Sequence, residues 1–191
     1  MIDYYTPFYT NQYYHIYNRG NNGEKIFYSS ANYTFFLKRF DHYFSDIVET
    51  LAYCLLPNHF HFLIKVKNKD IISENFKNFF ISYSKAINIQ EQRTGSLFQK
   101  RFKRKILEDK SSILSAILYI HSNPSHHNIR KDYINYSYSS YKSILSEKET
   151  KLNRKEVLEI FDSRDNFIKL HKERMNQFSS ENFFIENDWV R

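Results

Sequence analysis

The sequence of 191 residues contains few of the residues that shape small secreted or loop-rich proteins. Cys54 is the only cysteine, which excludes an intramolecular disulfide and favours a reducing compartment. Only three glycines and three prolines are present, which argues against a fold built mainly of loops. The chain has no apolar run of membrane-spanning length and no secretory signal pattern at its start. We therefore expect a soluble, cytoplasmic protein that has no membrane partner.

Aromatic and basic residues are abundant instead. The chain has 18 phenylalanines and 16 tyrosines, and 41% of its residues are hydrophobic, so it can build a substantial core. Its formal net charge is +7. Cations neutralise phosphates and aromatic rings stack on unpaired bases, so this composition is consistent with a nucleic-acid partner. Many basic proteins have no such partner, and composition alone therefore assigns no function.

A turn signal and a strand follow each other near residue 60. Pro57 and Asn58 predict a tight turn, and the aromatic and β-branched residues from His59 to Val66 predict an antiparallel strand after it. Side chains alternate along a strand, so His59 and His61 share one face. Two imidazoles placed in this way can reach one cation. The spacing does not name the metal, and it also fits two half-buried histidines without such a role.

Hydrophobic periodicity predicts the element order β-α-β-β-α-β before residue 108. The predicted strands comprise residues 13–18, 49–56, 59–66 and 102–107, and the predicted helices follow residues 30 and 72. This order is that of an α+β, ferredoxin-like fold, in which two helices cover one face of an antiparallel sheet. We expect the strand that begins at His59 to be central, and its histidines to lie on the open face of the sheet.

A third helix is predicted after the last strand. Tyr119 and Asn123 lie one turn apart on its polar stripe, and Pro124 is expected to stop or kink it. The helix alone favours a tyrosine that only packs against its neighbours, since the chain has 16 tyrosines. His126 and His127 are predicted to be solvated side chains of the loop that follows.

The sequence becomes rich in charged residues after residue 146. We expect one domain at residues 1–146 and a charged, helical extension at residues 147–191. Apolar residues near the end of the chain, including Phe183, Phe184 and Trp189, are predicted to dock the tail onto the body.

Two segments resemble motifs of the HUH single-tyrosine transposases, and in particular of the REP-associated tyrosine transposases. The segment LPNHFHF, which begins at Leu56, resembles their His-hydrophobic-His motif, and YIHSNP, which begins at Tyr119, resembles their Tyr-Ile-x-x-Asn-Pro motif. The segments YHIYNRG, from Tyr14, and GSLFQKRF, from Gly95, agree as well. The resemblance covers residues 13–145, with its motifs in matching order.

This resemblance implies a metal-dependent endonuclease and strand transferase that acts on single-stranded or hairpin DNA and forms a 5′-phosphotyrosine. Tyr119 matches the nucleophile, His59 and His61 match paired metal ligands, and Asn123 matches a residue that can complete the site. Mg²⁺ or Mn²⁺ is the implied cofactor, and a homodimer is one implied assembly. The candidate DNA-contacting residues are Arg19, Lys100, Arg101, Lys103, Arg104 and Lys105.

Two further functions remain open at this point. The same topology serves RRM modules, whose sheet aromatics stack on bases, although no clear RNP motif is present here. The chain can also be a domesticated protein that binds hairpins without cutting them. Relatives commonly carry a glycine shortly after the Asn-Pro pair, and its absence between Ser125 and Arg130 leaves the geometry of that loop open.

Overall fold

The computed structural model describes residues 6–180, with side chains up to residue 176. The strands in this part of the chain are β1 (Tyr13–Arg19), β2 (Val48–Leu56), β3 (His59–Val66) and β4 (Lys103–Leu107). Its helices are α1 (Ser30–Phe44), α2 (Ile72–Gln90), α3 (Lys110–His126), α4 (Tyr141–Leu145), α5 (Arg154–Ile160) and α6 (Arg164–Ser180). The predicted element order is confirmed. None of the described helices is both long and apolar enough to cross a membrane.

The four strands form one antiparallel sheet with the order β2-β3-β1-β4. The α+β class and the central position of β3 are therefore confirmed. The register places Tyr17 of β1 opposite His61 of β3, and Arg19 opposite His59. This pairing gives β1 the same side-chain alternation as β3, so the two strands contribute neighbouring side chains to each face of the sheet.

Helices α1 and α2 cover one face of the sheet and bury the phenylalanines of β3. Phe60 and Phe62 are each 1% exposed, and the Phe62 ring stacks on Phe40 of α1 with centroids 4.2 Å apart. Phe36 of α1 and Phe79 of α2 lie in the same cluster. The alternation of β3 therefore directs its phenylalanines toward α1 and α2, as the sequence predicts.

The opposite face of the sheet is not open, and that prediction is wrong. Helix α3 lies across β2 and β3 and builds a second core on this side. As a consequence, His59 and His61 are only 3% and 1% exposed. The physical reason is that the helices after β4 carry apolar stripes of their own, which are buried only against the remaining face of the sheet. The second core includes Leu56, Leu63, Leu107, Ile113, Ile117, Ile120, Val157 and Phe167.

The segment after α3 returns to the sheet. The Leu55 N–H donates to the Tyr138 carbonyl at 2.9 Å, so the outer edge of β2 is covered. Glu156 of α5 accepts hydrogen bonds from Lys65 and Tyr13, which dock α5 onto β3 and β1. The division of the chain at residue 146 stays a prediction. The predicted docking of Phe183, Phe184 and Trp189 lies outside the described residues.

Candidate functional site

Tyr119 and the histidine pair meet between α3 and the sheet. The Tyr119 ring lies perpendicular to the His61 ring, at an interplanar angle of 89° and a centroid distance of 5.6 Å. The His59 and His61 rings are also perpendicular, with centroids 5.3 Å apart. Tyr119 is half-buried, whereas both histidines are buried. One chain therefore assembles the tyrosine and both histidines without a second copy.

Asn58 orients the His59 ring. The Asn58 Nδ2 group donates to the Gly23 carbonyl at 3.1 Å, which turns its Oδ1 toward His59 Nδ1 at 2.7 Å. Since an amide oxygen only accepts, this network assigns the proton of His59 to Nδ1. His59 Nε2 then carries the lone pair that a metal ion requires.

His61 has an equivalent partner on β1. His15 Nε2 lies 2.9 Å from His61 Nδ1, and both rings are buried. When His61 Nδ1–H donates and His15 Nε2 accepts, the lone pair of His61 lies on Nε2. The structure thus gives each predicted ligand a hydrogen-bond partner on its Nδ1 side, the arrangement that fixes metal-binding imidazoles in proteins.

Burial keeps these histidines neutral. It lowers the pKa of His59 to about 3, with a further contribution from His127, while an interaction with the Asn123 side chain opposes the shift. Burial also lowers the pKa of His61 well below its usual range, and the neighbouring His15 adds to this. Neutral imidazole is the form that ligates a metal ion, so the environment of both rings suits that role.

The unsatisfied acceptors of the site suit a cation. Asn123 is fully buried, and its Nδ2 group donates to the Tyr119 carbonyl at 3.0 Å. Within the described part of the chain, the buried atoms Asn123 Oδ1 and His61 Nε2 make no hydrogen bond. Buried acceptors without donors are costly unless a cation or water satisfies them. The residues present therefore fit a divalent ion that takes its remaining ligands from phosphate and water.

The described residues do not supply a complete set of metal ligands. Among residues 6–180, no group of three or more His, Cys, Asp or Glu side chains is placed to hold one ion. The donor set is thus two imidazoles and one amide. Such a set is neutral, so it leaves the charge of a cation to be balanced by a phosphate.

The end of α3 differs from the sequence prediction in two respects. Of the predicted stop or kink at Pro124, the stop is wrong, because the helix continues to His126. Because Pro124 lies in the last turn, it removes a single helical hydrogen bond, and the His127 N–H still donates to the Asn123 carbonyl at 3.1 Å. His126 and His127 are half-buried rather than solvated, since the continued helix holds the His126 ring 5.4 Å from Tyr119. The His127 ring centroid lies 4.3 Å from that of His59.

The predicted basic run is divided between the two faces of the sheet. Lys103 and Lys105 pair with Tyr17 and His15, so they border the face that carries Tyr119. Arg104 points to the other face, where its guanidinium lies 4.4 Å from the centre of the Phe8 ring. Lys100 and Arg101 precede β4 on that side and line the same groove as Arg104. Arg19 lies close enough to lower the pKa of both His59 and His127.

Sequence reasoning missed the contribution of β1. The Tyr17 ring stacks on His61 at 5.6 Å and on His15 at 4.9 Å. The signal was the alternation of His15, Tyr17 and Arg19 in a predicted strand. That alternation identifies a shared face, but only the register with β3 shows that this face is the one that carries His59 and His61.

No family model matches the sequence, and no curated protein matches it. A search of solved structures finds the structure of a REP-associated tyrosine transposase bound to a REP hairpin, with a TM-score of 0.65 and 16% sequence identity. The match covers 77% of this chain and 87% of that one. The fold that the motif resemblance implies is therefore confirmed: the chain has the fold of a REP-associated tyrosine transposase.

Proposed function

We propose that the protein is a metal-dependent endonuclease and strand transferase for single-stranded or hairpin-bearing DNA, with Tyr119 as the nucleophile. The observation that carries this proposal is the perpendicular contact of Tyr119 with His61 inside one chain. Half-buried Tyr119 remains in reach of a substrate. The shared fold with a transposase whose structure contains a REP hairpin supports the choice of substrate.

The reaction conserves the energy of a phosphodiester. The phenolic oxygen of Tyr119 loses its proton and attacks phosphorus, and the bond from phosphorus to the 3′ oxygen breaks. The 3′ oxygen takes up a proton and leaves as a hydroxyl, while the 5′ phosphate stays on Tyr119. A 3′ hydroxyl of another strand then reverses these steps and displaces the tyrosine. Because one bond replaces another each time, no nucleotide cofactor is required.

Three residues of the chain would hold the ion, namely His59, His61 and Asn123. When bound, Mg²⁺ or Mn²⁺ supplies a positive charge to a non-bridging phosphate oxygen. The residues of the chain position the Tyr119 hydroxyl relative to the ligands of the ion. Asn123 and Tyr119 share one turn of α3, and the Asn123 side chain hydrogen-bonds the Tyr119 carbonyl, so both groups are positioned by the same rigid element. Lys103 and Lys105 at the edge of this face are suited to phosphate contacts.

The covered sheet favours this function over an RRM-type module. An RRM uses an exposed sheet face on which bases stack. Here α1 and α2 cover one face and α3 covers the other, so no aromatic platform lies open on the described sheet. Dimer formation stays a prediction, but the contact between Tyr119 and His61 of the same chain gives the site no need of a partner's tyrosine.

Covalent capture of DNA tests the proposal. Labelled single-stranded and hairpin-bearing DNA is incubated with the protein and Mn²⁺ or EDTA, and denaturing gels are examined for a protein–DNA adduct. We expect an adduct that requires metal, disappears in Tyr119→Phe and persists in Tyr9→Phe, a control at an exposed tyrosine outside the site. An adduct that survives in Tyr119→Phe contradicts the assigned nucleophile. Tight hairpin binding without any adduct favours the non-catalytic hairpin-binding function.

A further inference from the structure

A basic groove lies across the sheet from Tyr119. It runs between α2 and residues 95–104 and has a volume of about 800 Å³. Four of its lining residues are cationic, and none is Asp or Glu: the cations are Lys77, Lys100, Arg101 and Arg104. Lys77, Lys100 and Arg101 are exposed. The groove is therefore a site of concentrated positive charge that the proposed chemistry at Tyr119 does not use.

The floor of the groove is apolar and partly accessible. The Phe80 and Phe102 rings stack on each other with centroids 5.6 Å apart, and both are half-buried. Ile81 at the rim is 56% exposed. The Arg104 guanidinium lies 5.6 Å from the centre of the Phe102 ring. Cations around an accessible aromatic floor form the combination that holds phosphates and unpaired bases together.

We propose that this groove binds a single-stranded DNA segment that flanks the bond cleaved at Tyr119. The four cations are suited to bind phosphates, and the rings of Phe80 and Phe102 are suited to stack on an unpaired base. The volume is in the range of pockets that hold a small organic ligand, roughly 300–1,000 Å³, which suits a short single strand rather than a duplex. The proposal rests on the proposed function, since it places a further part of the same substrate.

The edge strand β4 connects the groove with the Tyr119 face. No strand of residues 6–180 pairs with its outer edge. Its alternation places Lys103 on the Tyr119 face and Arg104 on the groove side. At the end of β1, Asn18 lines the groove while the next residue, Arg19, lies beside His59. A DNA strand can therefore pass from the site to the groove around one exposed edge that presents cations on both sides.

The geometry also restricts which variants test the groove. Lys77 and Lys85 are both exposed residues of α2, but only Lys77 lines the groove. Reversal of either charge changes the net charge of the protein by the same amount on the same helix. Lys100 is exposed at the other wall, so the pair Lys77→Glu and Lys100→Glu reverses both walls without removing core atoms.

The experiment measures fluorescence anisotropy of two labelled DNA hairpins that share one duplex, one blunt and one with a single-stranded extension, in EDTA at several salt concentrations. We expect the extension to tighten binding by wild type about tenfold and to steepen the salt dependence. The Lys77→Glu/Lys100→Glu variant loses this gain, with a salt slope for the extended hairpin that is shallower by about 2, and its affinity for the blunt hairpin falls by a smaller factor. The matched single variants separate the groove from overall charge: Lys77→Glu alone loses part of the gain, whereas Lys85→Glu keeps it.

Two results overturn the proposal. In the first, the single-stranded extension adds nothing to the affinity of wild type. In the second, the groove variant loses the same factor of affinity for both hairpins, or Lys85→Glu loses as much of the gain as Lys77→Glu does. The adduct assay with wild type is run in parallel. A metal-dependent adduct at Tyr119 together with either result contradicts the groove alone, whereas absence of the adduct contradicts the proposed function.

Discussion

His15 and His61 face each other across β1 and β3, with His15 Nε2 2.9 Å from His61 Nδ1. His15 is 8% exposed, and burial lowers its pKa to about 3, so its ring is neutral and can accept a hydrogen bond. In the tautomer in which His15 Nε2 accepts, the proton of His61 lies on Nδ1 and its lone pair on Nε2. We therefore expect His15 to act as a positioning residue for His61, a candidate metal ligand.

Replacement of His15 is expected to weaken metal binding. His15→Leu removes the acceptor, and loss of a partner of this kind costs about 10–100-fold in metal affinity. His15→Gln retains an acceptor that reaches the position of Nε2, so we expect partial recovery. Mn²⁺ titration followed by electron paramagnetic resonance measures the affinity. His42→Leu, an exposed histidine of α1, serves as the control, and unchanged affinity in a folded His15→Leu protein contradicts the assigned role.

Asn58 is expected to set the tautomer of His59. In wild type, NMR correlations of the ring nitrogens should show a protonated Nδ1 and an unprotonated Nε2, because Asn58 Oδ1 accepts from Nδ1 at 2.7 Å. Asn58→Ala removes this acceptor, so both tautomers should become populated. Asn58→Asp retains an acceptor and should retain the wild-type tautomer. The same single tautomer in Asn58→Ala would mean that another group orients the ring.

The sequence identifies residues that are close along the chain better than residues that meet across the sheet. The spacing of His59 and His61 defines their shared face, and Tyr119 and Asn123 share a face one helical turn apart. The hydrogen-bond partner of His61 lies on another strand, far away in the sequence. His15 reaches His61 through the pairing of β1 with β3, which local periodicity does not specify.

The face of the sheet that α3 covers is a second case in which local sequence patterns do not specify a contact between distant elements. Alternation correctly placed the histidines opposite the phenylalanines of β3. Whether that face is open depends on where α3 packs, and the apolar stripe of a helix does not name its target. The positions of His126 and His127 follow from the same cause, because they are brought to the site by the packing and continuation of α3.

Gly20 is expected to be essential to the loop that supports Asn58. A Cβ atom at Gly20 would lie 2.0 Å from the Glu24 carbonyl oxygen, a contact with backbone that no side-chain movement relieves. The Gly20 N–H also donates to the Asn58 carbonyl at 2.8 Å, so displacement of this loop disturbs the turn before His59. We expect Gly20→Ala to lower the free energy of unfolding by about 3 kcal/mol in urea titrations.

Gly95 provides the matched comparison for that substitution. Its φ of +82° strains any residue with a side chain, but among the described residues no atom outside its two chain neighbours lies within 4 Å of the position that a Cβ would occupy. Gly95→Ala should therefore cost only the left-handed backbone conformation, about 1 kcal/mol. If Gly95→Ala destabilises the protein as much as Gly20→Ala, the close approach to Glu24 is not the main cause of the lost stability.

Acid is expected to weaken the contact of α6 with α3 through two buried histidines. His171 Nδ1–H donates to the Phe167 carbonyl at 2.7 Å, so its Nε2 accepts from His121 Nδ1 at 2.8 Å. His121 Nε2 in turn accepts from the Ser140 hydroxyl, also at 2.8 Å. Every ring nitrogen is thus used in the neutral state. Burial lowers the pKa of His121 well below its usual range and that of His171 to about 4.

The sign of the pH effect follows from these shifts. Between pH 4 and the unfolded-state pKa of about 6.5, the unfolded chain binds more protons than the folded protein, so stability rises with pH. The stabilisation is complete above about pH 6.5 and is lost as the pH falls toward 4, by about 3 kcal/mol for His171.

His171→Gln removes this titration, so its stability deficit relative to wild type should shrink on acidification. Ser140→Ala disrupts the same hydrogen-bond chain without removing a titrating group, and its deficit should stay constant. Urea titrations from pH 8 to pH 4.5 measure both, and a constant deficit for His171→Gln would show that His171 does not carry the acid sensitivity.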